Sequence, residues 1–316
     1  MSVYYRYSKY LKEKYGEKTY KLPINLDITC PNRDGNLGIG GCDFCGEEAA
    51  GFENLSTNYS VKEQLLKNKK YIGEKYEAKK FIAYFQNFTN TYLPLEELKK
   101  HINASLDIEG VVDITLSTRP DCLSEKYLEE VVELIAKKRP EVTLSLELGL
   151  QTVNYHTLNN INRGHTLAEL IDAVFLGKKY SINLGVHLIL NLPGDKMIDA
   201  IENAKVLSAL AVDNVKLHSL YIREDTEFGR LYKKDEIEII TCEEYIERVI
   251  MFLEYLKPEI AVQRLLGRAP GEKTLFVNWD YKWWEIQNMI EKEMERRNTY
   301  QGKQFNYLNA KALNKD

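Results

Sequence analysis

The sequence predicts an α/β fold, a partial barrel of the (β/α)6 type, on three observations. Seven apolar, strand-like runs alternate with stretches of helical period almost from end to end. Strand–helix repeats of this length imply parallel strands joined by right-handed crossovers. No Gly/Ser-rich linker and no short-period repeat breaks the series. At 316 residues the length alone permits one large barrel or two medium domains, and the continuous alternation suits the barrel.

The expected strands are Leu22–Thr29, Lys80–Phe85, Val112–Ser117, Thr143–Leu148, Asn183–Leu190, Asn214–Tyr221 and a short run at Ile260–Arg264. Between them lie helical patterns at Val61–Tyr76, Leu95–Ser105, Glu125–Lys138, Leu167–Tyr180, Met197–Leu210 and Cys242–Leu256. Val131, Leu134 and Ile135 carry the three-and-four spacing of a core-facing stripe. Ser124 and Thr241, each followed by glutamates, read as helix starts. Residues 1–21 form a basic, Tyr-rich extension, 22–266 the barrel, and 267–316 a helical extension (Tyr281–Arg297) packed on it. In such a barrel the chemistry gathers at the carboxyl ends of the strands.

Composition narrows the class. Hydrophobic residues make up 44% and charged residues 28%, as in a globular protein with a sizeable core. No apolar run approaches the roughly 20 residues of a membrane span, and the N-terminus lacks the apolar stretch of a signal peptide. Five clustered cysteines fit reduced thiols better than a disulfide framework, so a cytoplasmic location is expected. The net charge of −4 excludes a wholly basic nucleic-acid clamp. Charge is uneven, however: residues 62–80 carry seven lysines against three glutamates. Tyr4, Tyr5, Tyr7, Tyr10, Tyr15 and Tyr20 interleave with Arg6, Lys9, Lys12, Lys14, Lys18 and Lys21. That mixture suits phosphate contact and base stacking, or equally a solvated helix face with aromatic anchors.

The most informative segment follows the first strand. Cys30, Cys42 and Cys45 sit among Gly35, Gly38, Gly40 and Gly41, spaced by eleven and two residues. Three thiolates suit a 4Fe–4S cluster with one open iron, whereas a closed zinc site takes four ligands. Cys122 and Cys242 are distant and the five histidines scattered, so zinc needs a fourth ligand from elsewhere in the fold. The glycines let the backbone wrap a bulky group.

The motifs Cys30-Pro-Asn-Arg-Asp-Gly35, Gly41-Cys-Asp-Phe-Cys45, Tyr84-Phe-Gln-Asn-Phe-Thr-Asn-Thr-Tyr92, Ser117-Thr-Arg-Pro-Asp-Cys122, Glu147-Leu-Gly-Leu-Gln-Thr152, Asn162-Arg-Gly-His-Thr166, His187-Leu-Ile-Leu-Asn-Leu-Pro-Gly-Asp195 and Lys216-Leu-His218 carry a resemblance over roughly residues 18–266. The chain resembles radical S-adenosylmethionine (radical SAM) enzymes. More narrowly it resembles the YtqA/YhcC-type bacterial family, whose barrel is similar to the radical domain of the elongator catalytic subunit. The resemblance implies a 4Fe–4S cluster on Cys30, Cys42 and Cys45, SAM chelated at the open iron, and a reduced flavodoxin- or ferredoxin-type electron donor. One electron then yields a 5′-deoxyadenosyl radical that abstracts hydrogen from substrate, while the protein orients the cofactors.

It also implies a SAM cradle at the strand ends. Gln86, Asn87 and Asn90 follow the second strand, where amide oxygens accept from the SAM ammonium, with a hydrogen-bonded loop cap as the other reading. Glu147 and Gln151 bracket the end of the fourth, facing ribose or ammonium, with a polar barrel layer as the other reading. Arg163 offers a fork for the SAM carboxylate, or else is a surface or helix-cap arginine. Asn191 stands where the family commonly has glycine, near the adenine, and Asp195 where it has glutamate. Arg119, Asp121 and Cys122 follow the third strand toward the cavity; Cys122 is a candidate hydrogen donor or substrate holder, or else a packed thiol. His187 (cofactor side) and His218 (catalytic side) lie inside strands, where histidine more often satisfies the core. The resemblance points to a wobble uridine of tRNA, converting 5-carboxymethylaminomethyl to 5-aminomethyl, with phosphate contacts from Lys292, Arg296, Arg297 and Lys303. A radical SAM enzyme acting on a small molecule or peptide, and a non-catalytic iron–sulfur or zinc protein, stay open.

Overall fold

The computed structural model describes residues 2–47, 54–268, 271 and 273–311. Seven parallel strands form one curled half-barrel: β1 (Thr19–Ile24), β2 (Lys80–Phe85), β3 (Val111–Thr118), β4 (Thr143–Gln151), β5 (Asn183–Ile189), β6 (Asn214–His218) and, after an excursion, β8 (Ala261–Val262). The excursion contains β7 (Ile222–Arg223), which pairs antiparallel with β9 (Thr274–Phe276). Helices α2 (Val61–Tyr76), α3 (Leu95–Leu106), α4 (Glu125–Lys138), α6 (Leu167–Lys179), α7 (Met197–Ala209) and α9 (Cys242–Tyr255) are the crossovers. Shorter α5 (Tyr155–Asn160) and α8 (Glu227–Lys233) lie in the loops, and α10 (Trp283–Arg296) follows the sheet and packs on α9.

Strand periodicity separates the two faces. Leu22, Phe81, Ala83, Ile114, Leu116, Leu146, Leu148, Val186, Val215 and Leu217 are buried in the continuous core that also contains residues of the helices. Complete burial of each large side chain contributes about 1.5–3 kcal/mol. The alternate positions carry Lys21, Tyr84, Asp113, Ser117, Glu147, His187 and Lys216. The barrel interior is therefore polar. The expected first strand, Leu22–Thr29, begins three residues earlier and ends at Ile24; Pro23 is accommodated because β1 is an edge strand. The expected sixth strand ends at His218, and its last residues turn out of the sheet toward β7.

Residues assigned to a basic extension form α1 (Tyr7–Tyr15). Tyr5 and Arg6 dock along β8, with the Val262 N–H donating to the Tyr5 carbonyl (2.8 Å). Helix α1 contacts both β8 and β1, the two edges of the sheet. Its tyrosines point inward: the Tyr15 hydroxyl donates to Asp113 (3.0 Å) and Tyr10 to Asn183 (3.4 Å), while Tyr7 and Tyr10 stack at 5.6 Å. Leu11 packs on Ile82 and Tyr84. These rings are anchors of the barrel base. At the other end Arg296 and Arg297 are held by Glu293, and Arg297 also by Glu247.

Candidate active site

The cysteine loop is built from interlocking turns. Arg33 N donates to Cys30 O, Gly41 N to Asn32 O and Cys45 N to Cys42 O, each at 2.8 Å. Asn32 Nδ2 donates to Asn162 O (2.6 Å), and Asn162 Nδ2 donates back to Gly41 O (2.8 Å). Arg33 lays its guanidinium on the Cys45 and Gly46 carbonyls. Gly41 has φ +94°, and a Cβ there would lie 2.9 Å from Arg33 Nε. Both constraints select glycine. The loop is thus fastened to the segment following α5, and Phe228 N adds a bond from α8 to Asp43 O (2.9 Å).

Cys30, Cys42 and Cys45 are free thiols on the wall of one cavity of ≈ 1170 Å³, counting its open mouth. Gln86, Arg119, Glu147, Gln151, Arg163, His187 and His218 line the same cavity, so the structure brings most of the expected site residues together. Gln151 (φ +84°) and Phe88 (φ +44°) line it with strained backbone, and a register shift between Gly149 and Gln151 re-aims the end of β4.

Four expected residues are not on that wall. Asn87 exchanges hydrogen bonds with both backbone groups of Leu26. Asn90 donates to the carbonyls of Phe85, Asn87 and Ser117, and Asn191 accepts from Leu220 N (2.6 Å). These amides cap strand ends. Cys122 lies beyond the wall with Sγ 3.8 Å from Asp121, and burial pushes its thiol up to about 12, which keeps it protonated.

Around Cys42 the donors fit an iron–sulfur ligand. Arg163 Nη1 lies 3.4 Å and Asn32 Nδ2 3.6 Å from its Sγ, and N–H groups on sulfur stabilise and tune such ligands. Arg163 Nε is buried without a partner among the described residues. Arg119 is fixed by Asp121 (2.7 Å) and donates to Arg163 O (3.0 Å). Among the described residues, no three His, Cys, Asp or Glu side chains converge as a single ion requires. Three cysteine thiols on one cavity wall suit a cluster with an open corner, whereas a structural zinc site takes four ligands.

Deeper in the barrel lies a polar cage that the sequence reading had not assembled. One Glu147 oxygen accepts from Lys21 and from Gln263 (2.7 Å). The other accepts from the Tyr84 hydroxyl and His187 Nε2 (2.7 Å each) and from Lys216 (3.4 Å). Both oxygens are occupied. Burial opposes ionisation of Glu147, but Lys21, Lys216 and His187 outweigh it and hold the carboxyl well below its usual range. Burial pushes Lys216 down to about 7 against the pull of Glu147, and His187 down to about 4. Burial and neighbouring Arg264 keep His218 neutral. The clue was present in Thr143, Ser145, Glu147, Gly149 and Gln151, small or polar at every second position of one strand.

With this geometry in place, sequence comparison is decisive. The radical SAM superfamily model matches residues 30–207, and the Radical_SAM C-terminal domain model matches 212–296. The chain belongs to the radical SAM superfamily. This radical SAM protein is 34% identical over 311 residues to uncharacterized protein YtqA of Bacillus subtilis, covering 98% of this chain and 95% of that one. It is 29% identical over 172 residues to the tRNA uridine(34) acetyltransferase of Methanocaldococcus jannaschii, covering 52% of this chain and 29% of that one. In structure it is similar to Elp3 of the archaeon Methanocaldococcus infernus, solved with an N-terminal deletion. That match has a TM-score of 0.68 and 18% identity, and covers 90% of this chain and 64% of the other, which establishes likeness of fold. No helix among the described residues is long and apolar enough to cross a membrane.

Proposed function

We propose that this radical SAM enzyme modifies the side chain at C5 of a wobble uridine in tRNA, converting carboxymethylaminomethyl to aminomethyl. The observation that carries this reading is the cavity itself. The three thiols share its wall with polar residues at the ends of the strands. The 29% identity to a tRNA uridine(34) acetyltransferase supports the substrate class.

Cys30, Cys42 and Cys45 would hold the 4Fe–4S cluster, which when bound supplies the electron for reductive cleavage of SAM. Arg163 and Asn32 donate to the sulfur of Cys42, and Arg163 retains a buried Nε–H for an anionic group such as the SAM carboxylate. Gln86 and Gln151 bring amide groups to the cavity wall, and Phe44, Phe88 and Tyr221 add aromatic surface. Glu147 holds the cage below. The electron is delivered by a reduced flavodoxin- or ferredoxin-type donor.

The test is anaerobic reconstitution followed by SAM, dithionite and tRNA, with 5′-deoxyadenosine and tRNA nucleosides measured by mass spectrometry. The expected result is tRNA-stimulated 5′-deoxyadenosine and loss of the carboxymethyl mass from uridine 34. 5′-Deoxyadenosine with unchanged nucleosides would move the substrate to a small molecule or peptide. Its absence would leave a non-catalytic cluster protein.

A further inference from the structure

Three guanidinium groups stand beside the cysteine loop, and they are not equivalent. Arg33 lies against the Cys45 and Gly46 carbonyls. Arg119 is neutralised by Asp121, 2.7 Å away. Arg163 is 6% exposed and places Nη1 3.4 Å from Cys42 Sγ. No carboxylate pairs with it among the described residues: Nη2 donates to Gly149 O (2.5 Å), and Nε is buried without a partner. Its charge is therefore left to the sulfur side.

The position of that guanidinium is built into the chain. Arg163 N donates to Leu158 O (2.9 Å), and its carbonyl accepts from Arg119 Nη1 (3.0 Å). The preceding residue, Asn162, is tied to Gly41 and Asn32, and Asn32 Nδ2 lies 3.6 Å from the same Cys42 Sγ. Gly149 completes the seat from β4. Its carbonyl anchors Nη2, and a Cβ there would lie 2.8 Å from that nitrogen.

We infer that Arg163 is a positioning residue that raises the reduction potential of the cluster through the sulfur of Cys42. The assignment rests on the radical SAM reading of the cysteine end and deepens it by naming the residue that governs the electron-transfer step. In that step the reduced donor loses one electron and the cluster gains it, with no bond to the protein made or broken. The cluster becomes one unit more negative. A buried cation at a ligand sulfur favours the more negative state, and the low-dielectric surroundings strengthen that attraction. Asn32 brings only a neutral dipole to the same sulfur, so the charged donor carries the larger effect.

The experiment is an equilibrium redox titration of the reconstituted protein without SAM, followed by electron paramagnetic resonance of the reduced cluster. Wild type is compared with Arg163→Met, Arg163→Lys and Gly149→Ala. Arg163→Met should disfavour the reduced cluster at least about tenfold, a potential about 59 mV more negative for one electron. Arg163→Lys keeps the charge and should stay within about threefold of wild type. Gly149→Ala retains Arg163 but pushes its guanidinium aside, and should shift the potential in the same direction as Arg163→Met. If Arg163→Met holds no cluster, Gly149→Ala decides. A reduction equilibrium within about twofold of wild type in either Arg163→Met or Gly149→Ala overturns the assignment, as does a Lys variant displaced as far as the Met one. 5′-Deoxyadenosine production, measured separately on the wild type with SAM, reports the radical reading. Its absence beside a shifted potential sinks that reading and leaves the role of Arg163 standing.

Discussion

Replacing Glu147 by Gln tests whether the barrel interior is organised around one negative charge. The substitution keeps the volume and one carbonyl oxygen but leaves Lys21 and Lys216 beside each other without an anion. Removing one partner of a buried ion pair costs about 3–5 kcal/mol. Lys21 retains some solvent, so the lower figure applies, about 3 kcal/mol near pH 8. At about 2 °C per kcal/mol for a long chain, the melting temperature should fall by about 6 °C. The pH dependence has a definite direction. In the wild type, burial sets folded Lys216 at about 7 with Glu147 holding it up, and without Glu147 it falls further. An unfolded lysine, near 10.4, stays charged throughout. The unfolded state therefore binds more protons than the folded one above each folded value, and stability rises with pH there. For the variant that rise begins at lower pH, so its deficit is greatest under mild acid and levels off once both folded forms have shed the proton. Differential scanning fluorimetry of the reduced protein at pH 5.5 and pH 8 measures both effects. A deficit under about 1 kcal/mol at both values, or one that shrinks on acidification, would refute the counter-ion argument.

Three further outcomes follow from other parts of the molecule. Tyr15→Phe removes one donor from the buried Asp113, which keeps Thr115 and Ser145, and should cost about 1 kcal/mol in thermal melts while leaving tRNA retention on a filter unchanged. Burial pushes Asp195 up to about 6, so the folded chain binds a proton that the unfolded one has lost above about 4. Its stability contribution is thus lost as pH rises through that window, and Asp195→Asn should melt higher than wild type at pH 7.5 and no higher at pH 4. Gly41→Ala places a Cβ 2.9 Å from Arg33 Nε at φ +94°; the protein should fold, with native circular dichroism, but retain less iron per chain after reconstitution. Full iron loading would show that the loop tolerates the clash.

The strands were legible because their outward faces are apolar at every second residue, and Lys80–Phe85 falls on the expected boundaries. The first strand was placed late because Leu26 and Ile28 prolong the apolar pattern into a loop whose backbone turns away from the sheet. Helix α1 was hidden for a different reason. Its inward face is tyrosine, which satisfies a polar barrel base through hydroxyls, so hydropathy cannot distinguish it from a solvated face. At the site, the cysteine spacing and the strand-end motifs located the cavity. What spacing could not convey was which amides the backbone would claim. Asn87, Asn90 and Asn191 occupy loop positions where carbonyls and N–H groups need partners, and the local demand is met first. Lys216 and Tyr84 were inside quoted motifs, yet their meeting at Glu147 depends on curling three strands around one point.

The short pairing of Tyr5 with Val262 gives the fold a definite order of completion. Helix α1 has nine residues and spans about 13 Å at 1.5 Å per residue, fixing how far apart the first and last strands of the sheet can stand. Its docking strand, β8, lies more than 250 residues downstream of Tyr5. A growing chain can assemble β1 to β6 progressively, but its opening segment has no edge to join until residue 262 has emerged. The base of the cavity is therefore sealed last, and a truncated chain lacking β8 would expose the Tyr-lined end of an unfinished barrel.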